Sequence, residues 1–130
     1  RIGHGVRIHE DIEGFGGDEP HLGAMSQYVM DQQIPLECCP TSNVQTGAAT
    51  SVAEHPIHEL RDLGFAVTVN TDNRLVSGVS MVSEFEALAE VGWTKEDFFE
   101  ATLVGAWAAF LPYHERAELA EIVIDGYGAE

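Results

Sequence analysis

Two side chains capable of metal or acid–base chemistry lie where expected strands of the sequence end. His4 stands between two glycines near the start of the chain, and Asp72, with Asn73 beside it, follows the run Phe65–Val69. The carboxyl ends of parallel strands meet at one edge of a sheet, so we expect His4 and Asp72 on neighbouring strand ends. A carboxylate beside an imidazole can bind a divalent metal, or can position a water and take its proton. The sequence therefore predicts such a site at this edge.

Both residues also admit a structural interpretation, and both interpretations stay open on residue types alone. Asp is a common turn former, so Asp72 could cap the turn after its strand, and His4 could be a hydrogen-bonded core histidine. Other candidates are weaker. Ser42 lacks the G-x-S-x-G elbow and an evident base, which disfavours a serine nucleophile. His55 precedes a proline at an expected helix start, which favours capping over a metal pair with His58.

Three short strands must position these side chains. We expect them over residues 1–5, at Ile34–Cys39 and at Phe65–Val69. The last is expected to be buried on both faces because it is a short apolar run that contains β-branched residues. The second strand ends in a loop at Pro40–Asn43, which we expect to converge with His4 and Asp72. Alternating strands and helices predict a parallel α/β sheet with right-handed crossovers. Three strands can form an open sheet or an arc of a barrel, and periodicity does not choose between them.

Apolar spacing predicts helices in the intervals between the strands and throughout the C-terminal half. The first helix is expected to begin at Asp18-Glu19-Pro20 and to end near Gln33, after an acidic, glycine-rich loop over residues 10–19. The second helix is expected to begin at Glu54–Pro56 and to end at Gly64, and the third to extend from Met81 to near Gly92. A capping box at Thr94–Asp97 should begin the fourth helix, and Pro112 should begin the last one. We expect the tail over residues 125–130 to be frayed.

Composition narrows the class of protein and its partners. At 130 residues the chain is long enough for one domain with a modest core. Six Lys+Arg against 22 Asp+Glu give a net charge of -16, which disfavours a nucleic-acid partner. No apolar run approaches the roughly 20 residues of a membrane span, so we expect no membrane contact. The two cysteines, Cys38 and Cys39, are adjacent and cannot form an ordinary structural disulfide, which favours a reducing, cytoplasmic location.

Four segments occur in the order in which adenosine deaminases carry their motifs. They are RIGHG at 1–5, LECCPTSNVQTGA at 36–48, HPIHEL at 55–60 and VTVNTDN at 67–73. On these motifs the chain resembles that family over nearly its whole length, and the continuation RLVSGVSM resembles its bacterial branch. One such match could arise by chance, whereas four ordered matches at fitting spacings make the resemblance specific.

The resemblance implies a (β/α)₈ TIM barrel with one catalytic zinc at its C-terminal face. Residues 1–130 would then be a C-terminal fragment of the deaminase, with the last three strands and the terminal helices. By the same resemblance, His4 would orient the zinc-bound water and help to deprotonate it, and Asp72 would ligate the zinc. Asn73 would contact N7 of the purine, at a position where many family members carry aspartate.

The implied activity is zinc-dependent hydrolytic deamination of adenosine or deoxyadenosine, with inosine and ammonia as the products from adenosine. Gly3 and Asn73 favour the nucleoside over the free base, because related adenine deaminases tend to have aspartate at both positions. The family's H-x-H pair and H-A-G-E segment are absent from this sequence, so we expect the chain alone to be inactive. Two alternatives remain: a deaminase of adenine or another aminopurine, and a non-enzymatic half-barrel that dimerises through exposed strand edges.

Overall fold

A three-stranded parallel sheet forms the centre of the computed structural model, which describes residues 1–128. The sheet has the order β1-β4-β5, and β2 and β3 form a separate antiparallel pair. In chain order the strands are β1 (Ile2–Gly3), β2 (Ile12–Glu13), β3 (His21–Leu22), β4 (Leu36–Cys38) and β5 (Val67–Val69).

Helices follow each strand of the parallel sheet and fill the C-terminal half. A 3-10 helix over Val6–Asp11 comes directly after β1. The α-helices are α1 (Ala24–Asp31), α2 (Pro40–Gln45), α3 (Ile57–Asp62), α4 (Arg74–Ser77), α5 (Met81–Glu90), α6 (Lys95–Ala108) and α7 (Tyr113–Gly128). No helix within residues 1–128 is both long enough and apolar enough to cross a membrane.

The core lies around the middle strand. Leu36 of β4 is completely buried, and its register partners are Ile2 on β1 and Val67 on β5. The whole run Phe65–Val69 is buried, which confirms the prediction of a strand covered on both faces. Covering both faces is the usual arrangement of a parallel sheet whose crossovers are helices.

The strand order corrects one expectation about the site. His4 and Asp72 were expected on neighbouring strands, but β4 lies between β1 and β5, which carry them. The backbones of β1 and β5 are therefore separated by two strand spacings, roughly 9.5 Å. Strand order in a parallel sheet is set by the crossovers and not by local sequence, so apolar runs alone do not reveal it.

The first helix begins later than the sequence indicated. Residues His21–Leu22 pair with Ile12–Glu13 as strands, and α1 starts at Ala24 instead of at Pro20. The cap of α1 is supplied from a distance, since the Asp11 carboxylate accepts the Ser26 N–H at 2.7 Å. A carboxylate that accepts a free N–H of the first turn stabilises the helix start there.

The segment after β4 is a helix and not the expected loop. Pro40 is tolerated because it occupies the first turn, where its missing N–H is not needed. The buried Glu84 of α5 accepts the Thr41 N–H at 3.2 Å and so satisfies one of the free donors of α2. Because Glu84 is distant in sequence, the local pattern does not show this contact.

The C-terminal helices largely follow their sequence signals. Thr94 and Asp97 form the expected capping box at the start of α6, each side chain accepting the other's backbone N–H. The last helix begins one residue after Pro112. It continues to Gly128, so the frayed tail was wrong for residues 125–128, and Ala129 and Glu130 lie outside the described residues.

Candidate active site

The carboxyl ends of all three parallel strands contribute side chains to one place. His4 follows β1, Ser42 and Asn43 lie in the first turn of α2 after β4, and Asp72 follows β5. Nε2 of His4 lies 3.8 Å from Oδ2 of Asp72, so the two side chains lean towards each other above the end of the middle strand. Both are a little under half exposed, and both line a cavity of about 740 Å³.

The backbone at both residues is strained. His4 and Asp72 each have φ 57°, in the left-handed region that residues with a Cβ rarely occupy. Such conformations cost on the order of 1–3 kcal/mol and persist where the surrounding structure holds them, often at functional sites. Within residues 1–128, two of the three residues other than glycine with positive φ are the two that the sequence singled out, and the third is Gln33 with φ 47°. The overlap at His4 and Asp72 favours a functional role there over the turn-capping and core-histidine interpretations.

Gly5 makes the turn after β1 possible. Its φ is 67°, and a Cβ built there would lie 2.7 Å from Cδ2 of Leu36. The close approach at Gly5 is therefore made by a core side chain. Any larger residue at position 5 would press on the buried Leu36 side chain and would also have to adopt a left-handed backbone conformation.

The first turn of α2 holds both site groups. Oγ of Ser42 donates to Oδ2 of Asp72 at 2.7 Å, and Nδ2 of Asn43 donates to Nδ1 of His4 at 3.1 Å. Both side chains are buried. The sequence analysis predicted that this segment lies near the site, but it assessed Ser42 only as a nucleophile and predicted no role for Asn43. No local signal distinguishes a positioning serine or asparagine from an ordinary turn residue.

A buried histidine supports Asn43 from behind. Nε2 of His55 donates to Oδ1 of Asn43 at 2.9 Å, and Nδ1 of His55 accepts the Ile57 N–H at 3.0 Å. Burial, with a smaller contribution from the nearby His58, lowers the pKa of His55 to about 4, so the ring is neutral at pH 7. His55 therefore caps the first turn of α3, as the sequence indicated.

The second histidine of this segment is also occupied by protein groups. His58 Nε2 donates to the Val52 carbonyl at 2.7 Å, and the Trp93 indole N–H donates to His58 Nδ1 at 2.9 Å. A histidine with both ring nitrogens hydrogen-bonded to protein has no nitrogen left for a metal. The arrangement agrees with the sequence interpretation that this histidine and His55 are not a metal pair.

Asn73 lies beside Asp72 and begins α4. Its Oδ1 accepts the Val76 N–H at 3.1 Å, and the residue is exposed. With the oxygen turned towards the helix, the NH₂ end of the amide is the part that can donate to a ligand. Asn73 thus caps α4 with its oxygen, and the NH₂ group belongs to an exposed side chain.

The described residues fit part of a zinc site. The Asp72 carboxylate is an ordinary zinc ligand, and the imidazole of His4 faces the same point. No group of three His, Cys, Asp or Glu side chains within residues 1–128 is placed to hold a metal. Cys38 and Cys39 do not supply a thiolate, because burial raises the pKa of both thiols to about 12. A zinc ion at Asp72 would need ligands from outside these residues.

Comparison with known proteins identifies the family. The sequence profile of the family described as adenosine deaminase matches residues 1–126 of the chain. The chain belongs to the adenosine deaminase family. It is 50% identical over 129 residues to adenosine deaminase 1 of Streptomyces coelicolor, a match that covers 98% of this chain and 33% of that protein. The adenosine deaminase of Mycobacteroides abscessus is 46% identical over 127 residues, which cover 95% of this chain and 34% of that protein.

Solved structures agree on the fold. The crystal structure of adenine deaminase from Arthrobacter aurescens matches with a TM-score of 0.85 at 27% identity, over 99% of this chain and 36% of that chain. The ADAL–IMP complex matches with a TM-score of 0.75 at 21% identity, over 98% of this chain and 34% of that chain, and supports the fold alone. The chain spans about a third of the length of the curated relatives it matches. The expected fold class, the C-terminal portion of a deaminase TIM barrel, is confirmed.

Proposed function

We propose that residues 1–130 form the C-terminal part of a zinc-dependent hydrolase that converts adenosine to inosine and releases ammonia. The observation that carries the proposal is the approach of His4 and Asp72 to 3.8 Å on strained backbone at the carboxyl edge of the sheet. Membership in the adenosine deaminase family supports the reaction class. An imidazole beside a carboxylate is suited to a hydrolytic reaction in which water attacks a purine carbon.

Each site residue has a distinct task under this proposal. Asp72 would hold the zinc with its carboxylate, while Ser42 fixes the orientation of that carboxylate through its 2.7 Å hydrogen bond. When bound, zinc supplies a Lewis acid that makes water a good nucleophile near neutral pH. His4, whose Nε2 lies 3.8 Å from Oδ2 of Asp72, would contact the attacking water beside that carboxylate. The NH₂ group of Asn73 would donate to N7 of the purine, which is an acceptor.

Adenosine is the favoured substrate over adenine. The relatives named adenosine deaminase are 46–50% identical to this chain, whereas the structure named adenine deaminase is 27% identical. Gly3 and Asn73 agree with this choice, since both differ from the aspartates that adenine deaminases tend to carry. The measurement that decides is kcat/KM for adenosine and for adenine with the same preparation. A larger value for adenine would move the assignment to the free base.

The test of the catalytic proposal uses the full-length protein that carries this chain. Zinc content and adenosine turnover are measured before chelation, after chelation and after zinc is restored. We expect turnover to follow zinc content, and we expect His4→Ala to lower kcat by about 10²–10⁴-fold, as for lost acid–base help. Asp72→Asn should lower zinc content as well as turnover. His114→Ala is the matched control, because its side chain is 74% exposed and lies on α7.

Two results would contradict the proposal. Wild-type turnover in the His4→Ala protein would show that His4 takes no part in the reaction. Unchanged zinc content in Asp72→Asn would show that Asp72 is not a zinc ligand. Full-length protein that holds zinc but turns over neither adenosine nor adenine would refute the deaminase assignment. The location that we propose is the cytoplasm, because Cys38 and Cys39 are both free thiols.

The half-barrel alternative is favoured by one observation, the strand edges. Within residues 1–128, β1 and β5 each pair only with β4, so each has one edge free for another strand. In a complete barrel both edges are paired. Residues 1–130 produced alone should therefore be inactive and should self-associate, which light scattering after size-exclusion chromatography would measure. A stable monomer would refute self-association through these edges.

A further inference from the structure

A series of hydrogen bonds with only one allowed direction connects the backbone of α3 to His4. The series begins at the Ile57 N–H, which donates to Nδ1 of His55 at 3.0 Å. A backbone N–H can only donate, so Nδ1 of His55 carries no proton. The ring of His55 is 1% exposed and neutral, and its single proton is therefore on Nε2.

The proton on His55 determines the orientation of the Asn43 amide. Oδ1 of Asn43 accepts from His55 Nε2 at 2.9 Å and from the Cys39 N–H at 3.3 Å. With the amide reversed, its NH₂ group would face two donors. The NH₂ end must therefore point the other way, where Nδ2 of Asn43 lies 3.1 Å from Nδ1 of His4.

The orientation of Asn43 in turn determines where neutral His4 carries its proton. Nδ1 of His4 accepts from the Asn43 amide, so the proton of the neutral ring is on Nε2. Nε2 is the nitrogen that lies 3.8 Å from Oδ2 of Asp72. The opposite tautomer would place an N–H of His4 against the N–H of Asn43, two donors 3.1 Å apart.

We propose that His55 and Asn43 are positioning residues that hold the His4 ring and keep the proton of its neutral form on Nε2. His4 then presents a donor at Nε2 towards Asp72 and the attacking water. This inference rests on the proposed function for its catalytic consequence, but the tautomer itself is a property of the fold.

The substitution that tests the tautomer is Asn43→Asp. An aspartate keeps an acceptor for His55 and for the Cys39 N–H, but it replaces the donor that faces His4 with a second acceptor. We expect the proton of neutral His4 to move to Nδ1. The matched control is Gln45→Glu, the same amide-to-carboxylate change two residues further along α2, on an exposed side chain that contacts the Ser77 carbonyl.

The readout is the ¹⁵N spectrum of histidine-labelled full-length protein, recorded where His4 is neutral and with its signals assigned by their loss in His4→Gln. Two-bond ¹H–¹⁵N correlations distinguish a ring protonated on Nε2 from one protonated on Nδ1. We expect Nε2–H in the wild type and in Gln45→Glu, and Nδ1–H in Asn43→Asp. Nδ1–H in the wild type, or an unchanged tautomer in Asn43→Asp, would overturn the proposal.

Two substitutions of His55 test the start of the series. His55→Gln keeps an N–H that can donate to Asn43, whereas His55→Phe removes it at similar volume. We expect the glutamine variant to retain the Nε2–H form of His4 and the phenylalanine variant to show a mixture of both tautomers. A single Nε2–H form in folded His55→Phe would show that His55 is not needed. If the phenylalanine variant does not fold, the spectra of Asn43→Asp still decide.

Activity separates the positioning role from the proposed function. For Asn43→Asp we expect kcat for adenosine to fall about 10–100-fold, as for partners that orient groups at metal sites, with little change in KM. A higher KM with an unchanged kcat would contradict the positioning role and would indicate a structural effect instead. A wild-type protein without deaminase activity would refute the proposed function, and the tautomer measurement would still test the hydrogen-bond series.

Discussion

The buried histidine makes the stability of the fold depend on pH between neutrality and about pH 4. His55 has an ordinary pKa of 6.5 when exposed, and burial lowers it to about 4 in the folded state. The unfolded chain therefore binds a proton between these values that the folded chain does not bind. Because the unfolded state binds more protons there, the free energy of unfolding falls as the pH falls. The contribution of His55 is fully present above the unfolded pKa.

The size of the effect follows from the two pKa values. A pKa difference of one unit corresponds to about 1.4 kcal/mol of free energy. Most of the difference in proton binding between the unfolded and the folded state develops between neutral pH and about pH 5. Linkage then gives a loss of about 2 kcal/mol in the free energy of unfolding between about pH 7 and about pH 5. Below about pH 4 both states bind the proton, and the loss from His55 stops. Against a net stability of roughly 5–15 kcal/mol, a change of this size is readily measured.

Urea unfolding of the full-length protein, followed at both pH values, measures the change. Carboxylates also titrate towards acid pH and change the stability of both proteins. The quantity compared is therefore the pH-dependent loss of free energy of unfolding in the wild type minus the same loss in His55→Gln. We expect this difference to be about 2 kcal/mol, and we expect His114→Gln, which removes an exposed histidine, to behave as the wild type. Equal losses in His55→Gln and the wild type would mean that His55 binds a proton in the folded protein, and the reasoning would be refuted.

Three further outcomes follow from the site and its supports. Asn73→Asp retains a cap for α4 but replaces the ligand donor with a group that donates only when protonated, so KM for adenosine should rise more steeply with pH; an unchanged pH profile of KM would remove the contact with N7. Gly5→Ala should lower the free energy of unfolding by about 1–3 kcal/mol because of the contact with Leu36, and Gly16→Ala, with open space around its Cβ, should cost less. Cys38 and Cys39 should react slowly with alkylating reagents at neutral pH until the protein is unfolded, because burial raises the pKa of both thiols to about 12; rapid labelling of native protein would contradict this.

The parts of the fold that could be predicted are those encoded locally. The buried run Phe65–Val69, the capping box at Thr94–Asp97 and the start of α7 after Pro112 each depend on neighbouring residues. The errors occur where a distant group decides. Asp11 moves the start of α1, and Glu84 stabilises a helix where a loop was expected.

The candidate site divides in the same way. His4 and Asp72 could be found because each follows an expected strand, and the geometry of parallel strands brings such positions to one edge. The prediction that they lie on neighbouring strands was wrong, since β4 separates β1 from β5. The contacts by which Asn43 and His55 support His4 could not be predicted, because they join residues 39 and 12 positions apart in sequence. Hydrogen-bond direction is a property of the assembled fold.

The position of α2 explains how two strained residues on separate strands can share one point. His4 and Asp72 belong to the outer strands, but both are held by the first turn of the helix that follows the middle strand. That turn is itself secured by the fully buried Glu84 through the Thr41 N–H. A left-handed backbone conformation that costs on the order of 1–3 kcal/mol at each residue can persist only against such fixed contacts. The geometry of the site is thus set less by the strands that carry its reactive groups than by the short helix between them.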